Sequence, residues 1–258
     1  MDYEYLLESH LKYGTNKEDI IKRKGYENIL ENVVIAPWWT HDMFEEKAKQ
    51  IEQVSERVYN IYGDNFEFSF IELKAIGAPV ILDQVLALGV TKCKNIIFIG
   101  SVGSLDENIK IGDIVVPIHS ICGDGASRYL NKALEDDFGK EFYPSKDYTK
   151  KLLNILESTT GINYHYVPNF SIDTIFAQFA HIDYILSKGA KVVEMETAAL
   201  FKCSDILNLN VTALFCVSDN TVANKSLYSG RTGDEKEHRH KVRREIIPQI
   251  ITQMFQEE

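Results

Sequence analysis

Two carboxylates that stand one residue apart, Glu194 and Glu196, are the residues of this chain with the clearest potential for chemistry. They follow two valines that end a short apolar stretch, and good helix formers fill the next segment, Thr197–Ile206. A strand that passes into a helix places such side chains at the carboxyl edge of a sheet, where open α/β proteins bind ligands. An equally good alternative is that one of the two carboxylates caps the helix and complements its dipole.

Polar residues also lie at the ends of other predicted strands, namely Ser101, Asp173 and Asp219. Asp219 comes just after the apolar run Val211–Val217, so we expect its side chain to be shielded from water. Shielding raises the pKa of a carboxylic acid and makes it a candidate proton donor. The alternative is that Asp219 caps the next turn. The small-residue segment Gly100–Ser104 would let backbone N–H groups approach a ligand closely.

Strands and helices are predicted to alternate along the chain, which is typical of an α/β fold. The sequence predicts a single three-layer domain with a central mixed, mostly parallel sheet flanked by helices. We expect residues 1–30 to form an N-terminal arm and residues 31–258 the catalytic domain. The predicted strands cover residues 32–36, 66–73, 95–99, the later part of 111–117 after a turn, 162–167, 192–193 and 211–217. The predicted helices cover 41–62, 79–88, 147–157, 177–187, 197–206 and a charged segment from 234 kinked by Pro248.

Composition limits the classes of partner. The formal net charge of −10 argues against nucleic acid, because binding a phosphate backbone needs a basic surface. The four cysteines are scattered, without a Cys-x-x-Cys pair, and the N-terminus has no apolar signal region, so we expect a reducing cytoplasm. No apolar run is long enough to span a membrane. Glu237, His238 and His240 could suggest a metal site, but positions i and i+2 do not face each other on a helix, so we expect a solvated face instead.

The order of several motifs resembles the nucleoside phosphorylase family, which includes purine nucleoside phosphorylases, uridine phosphorylases and methylthioadenosine-type nucleosidases. The central stretch, residues 193–199, reads V-E-M-E-T-A-A and is similar to the V-E-M-E-x-A-A signature of that family. Residues 100–106 read G-S-V-G-S-L-D and residues 112–117 read G-D-I-V-V-P. The segments S-I-D at 171–173 and V-S-D at 217–219 complete the resemblance.

The resemblance implies cleavage of the bond between a sugar and a base, with no cofactor and with phosphate as a candidate co-substrate. Glu196 would accept hydrogen bonds from both ribose hydroxyls, and Met195 would pack beneath the sugar. Asp219 would protonate a purine ring nitrogen, so that the base leaves as a neutral molecule. Phe176, rather than Ile175, would stack on the base. The implied substrate-binding set is Glu194, Met195, Glu196, Phe176, Ser218 and His10, the last reaching into a neighbouring subunit of a homo-oligomer.

The chain departs from the family where phosphate is bound. Phe98 stands where the family usually has an arginine, and residues 36–42 contain no arginine either. The phosphate or water site would then consist of Gly100, Ser101 and Arg128, with Arg231 or a neighbour's Arg23 as further sources of charge. A second outcome is hydrolysis, with His41, Asp42 or a nearby glutamate activating water.

The nature of the base and the need for catalysis leave further alternatives. Uridine-specific members carry a Gln-x-Arg element, whereas this chain has only Gln178-Phe179-Ala180 in that region, which favours a purine. A uridine phosphorylase-like enzyme remains an alternative. A third is a nucleoside-binding protein without activity, although such a protein has little need for a buried acid at position 219.

Overall fold

The computed structural model describes residues 1–256, and the chain forms one α/β domain. The helices are α1 (Tyr3–Leu11), α2 (Lys17–Lys24), α3 (Ala78–Leu88), α4 (Lys146–Ser158), α5 (Ile182–Ser187), α6 (Thr197–Ile206), α7 (Gly233–Lys241) and α8 (Ile247–Met254). The strands are β1 (Asn32–Pro37), β2 (Gln50–Ser55), β3 (Val58–Tyr62), β4 (Glu67–Leu73), β5 (Asn95–Ser104), β6 (Ile114–Cys122), β7 (Glu141–Phe142), β8 (Tyr164–Ser171), β9 (Val192–Glu194) and β10 (Asn210–Asn220). Within the described residues, none of the helices is long and apolar enough to cross a bilayer.

The sheet is mixed, as predicted, and consists of a closed ring and an open wing. β10 pairs with both β5 and β6, and the path β6-β8-β9-β5 returns to β10 and closes the ring. β1 pairs with the outer side of β5 and begins the wing, which continues through β4 and β3 to β2. β5 and β10 run parallel and stay paired from Asn95 to Ser104, so they form the seam between ring and wing.

Helices cover both faces of the sheet and give it three layers. Side chains alternate along β1, so that Val33 and Ile35 join one hydrophobic core while Val34 and Ala36 join the other. The first core lies beneath α3 and α6, and the second lies beneath α4 and α8. Strands that are apolar on both faces are typical of parallel sheets covered by helices.

Residues 1–30 form α1 and α2 and pack on α3. The Tyr3 hydroxyl donates a hydrogen bond to the carbonyl of Leu86 at 2.9 Å, and the buried Tyr26 hydroxyl donates to Gln84 at 2.5 Å. Tyr26 and Ile29 are members of the first core. The segment therefore shares its packing with the rest of the chain, and the division at residue 31 stays a prediction.

The predicted helix over residues 41–62 is wrong. A 3-10 turn covers His41–Phe44, and the hairpin β2–β3 follows at the edge of the wing. Ile51, Val54, Val58 and Ile61 have helix-like spacing in the sequence. In the structure, Val58 and Ile61 are buried because β3 pairs with β4, so the packing of the sheet edge overrides the local period.

Two other local predictions need different boundaries. The segment Gly100–Ser104 is the end of β5 rather than a loop, because β10 continues to pair with it. Near the C-terminal end, the helical segment is interrupted by a π-helical turn at Val242–Ile246, directly before α8. Pro248 lies at the start of α8. It has no N–H to donate to the preceding turn, which is the physical reason for the kink predicted at this residue.

Candidate functional site

A cavity of about 410 Å³ opens where β5, β9 and β10 end, and it is large enough for a nucleoside-sized ligand. Both Glu196 and Asp219 line it, so the predicted sugar-binding carboxylate and the predicted proton donor face the same cavity. The wall consists of Pro37, Trp38, Trp39, Ile76, Phe98, Gly100, Ser101, Gly103, Ile172, Ile175, Gln178, Val193, Glu194, Met195, Glu196, Ser218, Asp219, Leu227, Arg239 and Arg243.

Glu196 is held by backbone N–H groups. Gly77 donates a hydrogen bond to its Oε1 at 2.6 Å, and Met195 donates to its Oε2 at 3.2 Å. The side chain does not cap α6. Burial, together with the nearby charge of Glu194, raises the pKa of Glu196 from 4.5 to about 8. A ligand that brings hydroxyl donors to this carboxylate would compensate for the lost hydration.

Glu194 fulfils the capping role that the sequence left open. Its Oε2 accepts hydrogen bonds from the backbone N–H groups of Glu196 and Thr197, both at 2.8 Å, at the start of α6. Its Oε1 accepts from Asn169 at 2.6 Å and from Ser171 at 2.5 Å. Burial raises its pKa, while these donors act in the opposite direction. With four protein donors, Glu194 mainly fixes the backbone that presents Glu196 to the cavity.

Asp219 lies at the end of β10, next to a register shift between Val217 and Asp219. The Ser218 hydroxyl donates a hydrogen bond to its Oδ1 at 2.6 Å. Its Oδ2 lies so close to Gly103 that a Cβ added there would be 3.0 Å away, so the glycine makes room for the acid. Only 7% of the Asp219 residue is exposed, and burial raises the pKa of its carboxyl group. The raised pKa makes Asp219 the candidate proton donor of this cavity.

Arg231, which the sequence suggested as a source of positive charge for phosphate, lies beside Asp219. Its Nη1 donates a hydrogen bond to the carbonyl of Ser218 at 3.3 Å. The hydrogen bond from Ser218 and the charges of Arg231 and Arg239 partly counter the burial that raises the pKa of Asp219. The arrangement would stabilise the carboxylate after it has given up its proton.

Two arginines that were not predicted from the sequence, Arg239 and Arg243, make one part of the wall positively charged. We call this part, together with the Ser101 and Trp39 that the arginines contact, the anion corner. Arg239 donates a hydrogen bond to the Ser101 hydroxyl at 3.2 Å, and the Arg243 guanidinium stacks on Trp39 at 4.5 Å from the ring centroid. Neither arginine forms an ion pair with a carboxylate of residues 1–256. Both Nε atoms are buried and unpaired within that range.

Burial and the neighbouring positive charges lower the pKa of both arginines. An anion bound between them would supply the missing negative charge. A signal for this corner was present in the sequence. Arg239 and Arg243 precede Ile247 at steps of four residues, so they continue the buried stripe of α8 on the same side of the helical segment.

Phe176, which the resemblance implied would stack on the base, does not face the cavity. That ring is 92% exposed and does not line the cavity, whereas Ile175 does. The 3-10 turn that follows, Ala177–His181, directs Gln178 inward instead. Gln178 donates a hydrogen bond to the carbonyl of Ile175, and its buried Oε1 has no partner among the described residues. Met195 lines the same cavity, and its packing beneath a sugar stays a prediction.

Three further predicted residues lie elsewhere. Arg128 pairs with Asp136 at 3.2 Å outside the cavity, so it does not contribute to the anion corner. His10 belongs to α1 and lines a separate hollow between α1, α2 and α3. Asp173 accepts a hydrogen bond from Gly125 and is likewise not part of the wall.

Of the candidate bases for activating water, His41 and Asp42 are also engaged outside the cavity, whereas Glu194 and Glu196 line it. Asp42 accepts two hydrogen bonds from Arg244, at 3.0 and 2.9 Å. His41 contacts the Glu72 carboxylate at 2.7 Å and stacks on Tyr59. Neither lines the cavity wall. Among residues 1–256, no group of three or more potential ligands is arranged to hold a metal ion.

Comparisons with known proteins agree with the geometry. Residues 75–250 match the family model described as the phosphorylase superfamily. A DeoD-type purine nucleoside phosphorylase of Aliivibrio fischeri is 30% identical over 148 residues, which cover 56% of this chain and 57% of that protein. A second, from Hahella chejuensis, is 27% identical over 52% of this chain and 55% of its own length. The matches thus span little more than half the length of these curated relatives.

Solved structures match over a larger part of the chain. A uridine phosphorylase from Vibrio fischeri covers 88% of this chain and 92% of its own, with a TM-score of 0.74 and 18% identity. An AMP nucleosidase from Bacteroides thetaiotaomicron covers 79% of this chain and 90% of its own, with a TM-score of 0.66 and 19% identity. At this level of identity, the likeness shows the fold alone.

Proposed function

The chain belongs to the phosphorylase superfamily, and on that premise we propose that it cleaves the N-glycosidic bond of a purine nucleoside and transfers the sugar to inorganic phosphate. The observation that carries this proposal is one cavity that holds a shielded acid, a buried carboxylate and a positive corner, namely Asp219, Glu196 and the pair Arg239–Arg243.

The three parts have separate roles in the reaction. Glu196 accepts hydrogen bonds from the two sugar hydroxyls and orients C1′ between base and phosphate. The C1′–N9 bond breaks, its electron pair moves into the purine, and Asp219 gives its proton to N7, so that the base leaves neutral. A phosphate oxygen forms the new bond to C1′, and the proton that this phosphate loses returns to the acid through solvent. Protonating the leaving group is worth about 10²–10⁴-fold.

Phosphate is favoured over water because the anion corner contains two cations that form no ion pair with a carboxylate of residues 1–256. The relatives that match over about half their length are named purine nucleoside phosphorylases, which points in the same direction. The alternative is hydrolysis, since one structural neighbour is named an AMP nucleosidase. Neither Asp42 nor His41 lines the cavity, so of the bases considered for hydrolysis only a glutamate, Glu194 or Glu196, remains in the wall.

Base release separates these possibilities. Inosine, adenosine, uridine and methylthioadenosine are incubated with the enzyme, with and without phosphate, and free base is quantified by chromatography. We expect purine release that depends on phosphate. Phosphate-independent release would establish a nucleosidase, and release from uridine alone a uridine phosphorylase-like enzyme. No release from any substrate would favour a binding protein.

Two variants connect the activity to the acid. Asp219→Asn should lower purine release by about 10²-fold or more while the fold is kept. Asp173→Asn is the matched control, because Asp173 is an aspartate near the same sheet edge that does not line the cavity. Normal turnover in Asp219→Asn would remove Asp219 from the mechanism.

We further propose a cytoplasmic homo-oligomer, which sedimentation of the purified protein and fractionation of its source cells would test.

A further inference from the structure

Trp38 has an unusual backbone conformation at the cavity wall. Its φ angle is 60°, in the left-handed region that bulky side chains rarely adopt. Such a conformation is destabilising, and it persists when the surrounding structure enforces it. Residues held in this way concentrate at sites of function.

The segment around Trp38 is held on both sides. The Trp38 N–H donates a hydrogen bond to the carbonyl of Leu73 at 2.9 Å. On its C-terminal side, Trp39 is stacked beneath Arg243, and Asp42 forms a double hydrogen bond with Arg244. These contacts fix the backbone and leave the Trp38 side chain as the part that is not packed.

The two tryptophans differ sharply in burial. Trp39 is 4% exposed, whereas Trp38 is 62% exposed although it also lines the cavity. A largely exposed indole buries little apolar surface, so packing in the free protein does little to offset the strained backbone. The next residue, Trp39, stacks with Arg243 of the anion corner. Ile76, also in the wall, directly precedes Gly77, whose N–H donates a hydrogen bond to Glu196. Under the proposed function, these neighbours assign the part of the wall that contains Trp38 to the sugar and the acceptor.

We propose that Trp38 packs over the bound sugar and phosphate, seals this end of the cavity against water, and so determines that the glycosyl group is transferred to phosphate rather than hydrolysed. The inference rests on the proposed function. In both reactions the C1′–N bond breaks and its electron pair leaves with the base. With phosphate, a phosphate oxygen bonds to C1′. With water, the water oxygen bonds to C1′ and its proton passes to solvent. Excluding water removes the second route.

The coupling of the two products tests this role. Purine and pentose 1-phosphate released from inosine in saturating phosphate are measured separately, and their ratio is one when every transfer goes to phosphate. Trp38→Gly keeps the backbone conformation without strain, because glycine adopts positive φ freely. We expect it to raise the hydrolysed fraction and the KM for phosphate by about 10- to 100-fold, the factor that corresponds to losing the burial of one large apolar side chain.

The controls distinguish sealing from a general defect. Trp38→Phe should restore the coupling of the products, since it retains an aromatic cover. The melting temperature of Trp38→Gly should be unchanged or higher, and Trp38→Asn, which also tolerates this backbone, serves if the glycine variant does not fold. A ratio of one in both Trp38→Gly and Trp38→Asn would overturn the inference while leaving the proposed function intact. No base release by the wild type would instead refute the proposed function.

A binding measurement adds a second criterion. The chain has two tryptophans, so Trp39→Phe leaves Trp38 as the only indole and keeps an aromatic ring beneath Arg243. Inosine together with sulfate forms a complex that cannot turn over. We expect this mixture to shift the emission of Trp38 to shorter wavelength and to protect it from acrylamide quenching. Binding of inosine without any change in quenching would contradict the sealing role.

Discussion

Replacing Glu196 by glutamine should stabilise the free protein at neutral and alkaline pH, although it removes a sugar-binding group. The folded protein raises the pKa of this carboxyl group from 4.5 to about 8, because burial and the charge of Glu194 disfavour ionisation. At about 1.4 kcal/mol per pKa unit, the ionised residue lowers the free energy of unfolding by about 5 kcal/mol above pH 8. A glutamine avoids that penalty but weakens the hydrogen bonds from Gly77 and Met195, each worth about 1 kcal/mol. The expected net gain is about 3 kcal/mol.

The pH dependence gives this prediction its sign. Below pH 4.5 the carboxyl group is protonated in both the folded and the unfolded states, so the substitution gives no gain there. Between 4.5 and about 8 the folded state keeps a proton that the unfolded state has lost, so wild-type stability falls as pH rises. The advantage of Glu196→Gln should grow across this interval and stay constant above it.

Urea unfolding at half-unit steps from pH 4 to pH 9 measures the effect for the wild type, Glu196→Gln and the control Glu157→Gln. Glu157 is an exposed glutamate on α4, so its variant should follow the wild-type curve. Free-energy curves of Glu196→Gln and wild type that run parallel from pH 4.5 to pH 9 would refute the reasoning about burial. The same variant should bind inosine more weakly, which separates the stabilising effect from the functional loss.

Four further outcomes follow from the site and its supports. Arg239→Gln should raise the KM for phosphate by about 10- to 150-fold, as expected for the loss of one charge-assisted hydrogen bond. The control Arg128→Gln should keep the wild-type KM, and a wild-type KM in Arg239→Gln as well would show that Arg239 does not bind phosphate. Gly103→Ala should lower kcat more than it raises the KM for inosine, because the new Cβ would crowd the Asp219 Oδ2 atom, and a normal kcat would contradict that crowding. For purines, kcat/KM should fall as pH rises through the raised pKa of Asp219, since only the protonated acid can donate, whereas Asp219→Asn should lose this fall. Lys202→Met should lower the free energy of unfolding in urea by about 2 kcal/mol, because buried Asp137 would lose one charge-assisted hydrogen bond while keeping those from Lys140 and Asn131, and should leave the KM values unchanged.

The parts of the site that follow a strong local pattern were predictable from the sequence. The helix Thr197–Ile206 has the predicted boundaries, because two carboxylates and a run of helix formers specify its start. Asp219 is shielded, as the preceding apolar run indicated, because that run is the central strand β10. In both cases the residues that decide the structure are neighbours in sequence.

The parts that depend on packing between distant segments were not predictable from local pattern. Phe176 was favoured over Ile175 by its chemistry, but the 3-10 turn after it leaves the ring in solvent. The sequence suggests Arg128, Arg231 or a neighbour's Arg23 as the cations, whereas Arg239 and Arg243 reach Ser101 and Trp39 from the C-terminal helical segment. The spacing of these arginines fits a buried face, yet the charge of α7 suggested a solvated one. Which face lies against the sheet is decided by the core residues of α8.

The closed ring implies that the two halves of the site differ in local stability. β5 has a second partner strand over most of its length, and β10 pairs with β5 throughout and with β6 at Phe215 and Cys216. Both strands are covered on both faces, so their amides should exchange with deuterium only when the whole domain unfolds. By contrast, α7 contributes no buried residue, and its amides should exchange through local opening. The acid would then stay in place while the arginine-bearing side loosens, which gives ligands an exit that leaves the proton donor undisturbed.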